Sequence, residues 1–149
     1  MEKETDANLK KETRTFYHPC FRSRSSKQLD LLRVVTEETY TRLDLIYYKP
    51  QKQLLNTISI QLDPETYLLP QHGDIKLKLL KVENIPLAPK VYKMVKGIPT
   101  ASFSLYFEPL IKTCFIFSLI EKPLVRGNPF NIYKINLLSQ KTFASILKN

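Results

Sequence analysis

Residues 101–121, ASFSLYFEPLIKTCFIFSLIE, constrain the fold more than any other stretch of the chain. Phe103, Leu105 and Phe107 alternate with Ser102, Ser104 and Tyr106. Side chains on a strand point alternately to opposite faces, so this half is a strand with one buried side. Cys114, Phe115, Ile116 and Phe117, extended by Leu119 and Ile120, form a run that is apolar on both sides. Such a run suits a central strand covered on both faces. A helix through the same residues would spread its phenylalanines around the whole girth and hold Pro109 in its interior. Proline there removes a hydrogen bond and clashes with the preceding turn. The core is therefore expected to be all-β.

Alternation predicts further strands over 29–37 and 39–48. The second places Leu43, Leu45 and Tyr47 on one face and Arg42 and Asp44 on the other. Strands are also expected at 57–62, 66–69, 75–83 and 130–138, with Leu80 and Val82 marking a bulge or a second buried face. Asp63-Pro64-Glu65 and 70–74 read as turns. Pro86, Pro89 and Pro99 exclude 84–100 from a central strand, and it reads as a crossover loop with one helical turn near 91–95. A terminal helical turn is expected at 142–147. About seven to eight short strands predict one antiparallel β-sandwich, immunoglobulin-like or jelly-roll in topology. It would fill 16–149 behind a charged, disordered leader at 1–15, with Phe16, Tyr17, Pro19 and Phe21 lying against it.

A chain of 149 residues with 43% apolar content can bury a core without metal or disulfide support. Its three glycines exclude the glycine-rich loops that cradle phosphates. The net charge of +9 is carried by lysines set singly, so it reads first as a solvated basic face. Nucleic-acid binding is the lesser reading, and its mark would be affinity falling steeply with salt. Cys20 and Cys114 read as free, buried thiols, since a disulfide would need an oxidising compartment. No signal-peptide core is present, and no stretch approaches the ~18 apolar residues of a membrane span. The expectation is a chain without a transmembrane segment, cytoplasmic unless exported by a leader outside this sequence.

Candidate chemistry is sparse. His18-Pro19-Cys20 offers two soft ligands but no third nearby, so it reads as a packed arm rather than a metal site. Asp63, Glu65, His72 and Asp74 sit on neighbouring loops and would make an acid–base or calcium site if those loops converged. The same residues are ordinary turn formers. The serines beside apolar runs lie within strands, and no G-x-S-x-G elbow exists. The tyrosines read as cross-strand pairs before they read as a stacking platform. These observations predict a protein without enzymatic activity, metal or cofactor: a binding or protein-interaction module with an unspecified protein partner. Recognition is expected at 84–100 through Lys90, Lys93 and Lys96, because loops on a rigid scaffold usually carry it. The alternative is a lectin-like carbohydrate or small-ligand domain using the tyrosines and the Asp63, Glu65 and Asp74 loops. A hydrolase pairing His72 with Asp63 or Asp74 is a third option.

Five ordered motifs add a resemblance: TRLDLIYY (41–48), ISIQLDPETYLLP (58–70), IKLKLLKVENIPLAPK (75–90), FSLYFEPL (103–110) and NPFNIYKINLL (128–138). Together they resemble an uncharacterised bacterial family of short β-rich proteins. The resemblance covers about 29–138 and implies a sandwich of unassigned activity, with no catalytic residues to carry over. Of the matched residues, Arg42 and Asp44 are placed to pair on one strand face, and Asn131 and Asn136 to satisfy backbone groups at the ends of the last strand.

Overall fold

The computed structural model describes residues 12–73, 75–121 and 129–142. Among these residues twelve strands occur in this order: β1 (Arg14–Tyr17), β2 (Pro19–Cys20), β3 (Ser23–Arg24), β4 (Leu29–Thr36), β5 (Thr41–Tyr48), β6 (Ile58–Ile60), β7 (Tyr67–Pro70), β8 (Leu77–Glu83), β9 (Tyr92–Met94), β10 (Thr100–Phe107), β11 (Ile116–Ile120) and β12 (Ile132–Gln140). Ten of them form one sheet, nine along the hydrogen-bonded path β1-β4-β5-β10-β8-β7-β11-β12-β2 and β3 off it beside β12; β6 and β9 form a separate ribbon. Every strand pairing is antiparallel. The all-β expectation holds. The sandwich of seven to eight strands does not, because the path nearly closes into a barrel.

Two corners make that closure, each where one strand changes partners. At the first, Leu77 and Lys78 of β8 pair with β7, while Leu79–Glu83 pair with β10. The register slips at Leu80, the bulge that the sequence suggested. At the second, the N-terminal strand pairs with β4 as β1 and with β12 as β2. His18 lies between, in the left-handed region at φ 47°. Its N–H donates to the Leu32 carbonyl (2.9 Å), and its own carbonyl accepts from the Lys141 N–H (2.8 Å). Leu32 is the extra residue of a β4 bulge, which frees its carbonyl for this bond. The strand starts at Arg14, inside the expected leader; residues 1–11 lie outside the described residues.

The two walls face each other across one core. Leu29, Leu31, Leu43, Leu45, Phe103, Leu105 and Phe107 come from one side, and Leu68, Phe117, Leu119, Ile132, Ile135 and Leu137 from the other. Phe130 stacks on Phe103 at 5.9 Å between ring centroids and meets Tyr47 at 5.8 Å. Alternation held for β5 and β10 and failed in β12. Ile132 and Ile135 both point inward because Lys134 takes φ 55° and shifts the pairing between them. The crossover loop at 84–100 contains strand β9 where a helical turn was expected, and residues 143–147 of the expected terminal turn lie outside the described residues.

The outer face of β4, β5 and β10 carries a buried carboxylate. Asp44 accepts from Arg33 and Arg42, and from the Ser104 hydroxyl at 2.6 Å. Burial alone would raise its pKa, but the Ser104, Arg33 and Arg42 hydrogen bonds and the Arg42 charge outweigh it and hold the carboxyl below its ordinary value. Its folded pKa is therefore lower than its unfolded one. The stabilisation is full above the ordinary carboxylate range and is lost as pH falls through the depressed value. Asp44→Asn is expected to remove that acid-side loss, so that stability in urea changes less between pH 5 and pH 2 than in the parent.

A second prediction concerns the corner. Left-handed backbone is strained for a β-branched side chain and easy for glycine. His18→Val is expected to lower stability by about 1–3 kcal/mol and His18→Gly to lower it by less than about 1 kcal/mol. Urea midpoints of the two variants check the order.

Candidate binding surfaces: a clamped basic ribbon and an apolar groove

The alternation of β5 runs on past its end: Leu43, Leu45 and Tyr47 face inward, and Lys49 follows at the same spacing. Lys49 is 6% exposed, and its ammonium lies among carbonyl oxygens. The ammonium donates to Met94 O and Val95 O at 3.0 Å each, to Asn56 O, and to Leu54 O at 3.4 Å. An ammonium has three donors and is strongly hydrated, so a ring of carbonyl dipoles replaces its water. Two chain segments are thereby fastened together. One is the turn after β5, with its 3-10 turn Gln51–Gln53, and the other is the end of β9. Gly97 N–H to Leu54 O (2.9 Å) and Lys49 N–H to Pro99 O (2.8 Å) complete the join.

This clamp holds the β6–β9 ribbon, whose inner side is Ile60, Leu62, Ile85 and Met94. Lys93 lies on β9, Lys90 and Lys96 lie in the segments that flank it, and all three are exposed. Lys52 is exposed nearby, as are Leu55, Val91, Tyr92, Val95 and Ile98. No acidic residue occurs between Asp44 and Asp63 or between Glu83 and Glu108. The ribbon is thus basic and apolar without internal neutralisation.

The acidic loop is a turn. Asp63 Oδ1 accepts from the Glu65 N–H (2.8 Å), and the Asp63 carbonyl accepts from the Thr66 hydroxyl (2.6 Å). Its partner is Glu121, 1% exposed, which the sequence reading overlooked. The Glu121 carboxylate accepts from the backbone N–H groups of Asp63 (2.9 Å) and Phe130 (2.8 Å), and its own N–H donates to Asn131 Oδ1 (2.7 Å). Burial pushes the Glu121 pKa up, with the Asp63 charge adding to it, although both backbone bonds pull it down. Glu121 ties two loops together.

Glu65 lines a cleft of about 590 Å³ with Tyr67, Lys76 and Lys78. His72 lies at the other end of β7, on a different depression. Asp63, Glu65 and His72 therefore do not converge as an acid–base or calcium site would require, because β7 stands between the two turns; Asp74 lies outside the described residues. No group of three His, Cys, Asp or Glu side chains suited to a metal occurs among the described residues. Cys20 and Cys114 are free and half-buried, and burial raises the Cys114 thiol pKa.

No protein-family model, curated protein or solved structure matches the chain.

The depression that holds His72 is a groove of about 610 Å³ at one end of the barrel. Pro70, Ile75, Leu77, Ile111, Phe115 and Leu138 make it mainly apolar. Ile75, Ile111 and Leu138 are 75%, 72% and 72% exposed. Apolar surface gathered in a concavity of this size is the usual setting of a small-ligand site.

Lys49→Met leaves the surrounding carbonyls unsatisfied, at a cost of about 2–4 kcal/mol. Amide exchange of Ser59, Ile60 and Lys93 is expected to accelerate, while that of Leu43 and Leu105 in the barrel changes far less.

Proposed function

We propose that this protein is a non-enzymatic binding module that docks an acidic face of a partner protein on the β6–β9 ribbon. The carrying observation is the acid-free surface bearing Lys52, Lys90, Lys93 and Lys96 around exposed Leu55, Tyr92 and Val95. Like charges without neighbours of opposite sign steer and orient an acidic partner, and the exposed apolar side chains supply area to bury once it docks. The Lys49 clamp supports the reading because a pre-ordered surface loses less entropy on binding. Two facing walls are what this reading retains of the immunoglobulin-like or jelly-roll sandwich, and kinship with the bacterial family rests on the five ordered motifs.

A small-ligand domain is the second reading, and the groove beside His72 favours it. Its apolar lining suits a hydrocarbon or ring better than a sugar, which would need a denser set of polar partners.

The test is recovery of partners on immobilised protein. A partner held by the parent at physiological salt is expected to be lost from the Lys90→Glu, Lys93→Glu, Lys96→Glu triple variant, and separately from Leu55→Asp. Each charge reversal is expected to cost about threefold or more in affinity. Equal recovery on parent and both variants contradicts the proposal.

A further inference from the structure

A second depression adjoins the groove. It is a notch of about 10 Å³, lined by Arg14 and Phe16 of β1, Thr36 of β4, Leu137 of β12, and Ile111, Lys112, Cys114 and Phe115 of the loop before β11. Ile111, Cys114 and Phe115 line the groove as well, so the two share a wall. Thr36 is 4% exposed, and its hydroxyl has no hydrogen-bond partner among the described residues. Buried hydroxyls are nearly always partnered, and an orphan at the wall of a concavity points to a guest atom. The notch has about the volume that one water-sized group occupies. Arg14 and Lys112 are the charged residues on its lining, and among the described residues neither depression is lined by a carboxylate. A hydroxyl donor beside two cations suits an anionic oxygen.

We propose that this end of the barrel binds a single-chain anionic amphiphile, a medium-chain carboxylate or its like. Its hydrocarbon body lies in the groove over Ile75, Ile111, Phe115 and Leu138, and its head oxygen meets Thr36, Arg14 and Lys112. The inference rests on the small-ligand reading of the groove and is independent of the ribbon.

The probes are decanoate, 1-decanol and decyltrimethylammonium, titrated calorimetrically below their micelle concentrations. Decanoate is expected to bind the parent one to one, about tenfold or more tighter than the other two. Leu138→Glu, at a side chain already exposed, is expected to abolish binding. Thr36→Val is expected to weaken decanoate about tenfold, to leave decanol unchanged, and to keep or raise the melting temperature because it removes an unsatisfied hydroxyl. Arg14→Gln is expected to weaken decanoate as well. The triple ribbon variant is expected to bind it as the parent does. If decanoate and decanol bind the parent equally and Leu138→Glu removes both, the small-ligand reading stands and the head assignment falls. If none of the three probes binds, both fall. Undiminished decanoate binding by Thr36→Val assigns the notch to a water molecule and overturns the proposal. An equal loss in the ribbon triple variant shows bulk charge at work and overturns it too.

Discussion

The structure depends on one short strand that belongs to two walls. Arg14–Tyr17 pairs with β4 and Pro19–Cys20 with β12, and His18 hydrogen-bonds to both sides as it turns between them. Without this crossing, β4 would be an open edge and β12 would keep only its short pairing with β3, leaving unpaired N–H and C=O groups on both. Closure also sets what lies at the barrel end. The notch lined by Arg14, Phe16, Thr36 and Leu137 draws on β1, β4 and β12 together, so it exists because the walls meet.

Among the buried polar side chains, Glu121, Lys49 and Thr36 are each handled differently. Glu121 is matched to two backbone N–H groups and joins the loops at 63 and 130. Lys49 is matched to carbonyls and fastens the ribbon. Thr36 has no partner among the described residues. Burying a polar group is costly unless hydrogen bonds replace the lost water, so the first two act as structural ties. The third is a different matter: its hydroxyl lies at the wall of the notch where the anionic head is proposed to bind.

Much of the fold was legible in the chain, and the same signal contained more than was taken from it. Alternation placed Leu43, Leu45, Phe103, Leu105 and Phe107 inside correctly. Continued by two residues, it also puts Lys49 after Tyr47, Glu121 after Leu119 and Thr36 after Val34 on the inner face. Closure was not legible, because it depends on long-range pairing and, beyond the bulge suggested at Leu80, on backbone shifts at Leu32 and Lys134. Bulges of this kind leave no mark in an apolar pattern until the partner strand is known. The ribbon was missed for a related reason. Three prolines spoke against a central strand, correctly, but β9 pairs only with β6, outside the barrel. Lys90, Lys93 and Lys96 are exposed on and beside β9, whereas the acidic turn and His72 were near in sequence but separated by β7.

The molecule that emerges is a nearly closed barrel with one appended basic ribbon and one apolar end. Cross-strand nuclear Overhauser contacts test the closure most directly. The account predicts contacts from Thr15 to Val35 and from Cys20 to Asn136, both at full intensity in one folded species. Contacts of the N-terminal strand with β4 alone, and none with β12, would contradict it.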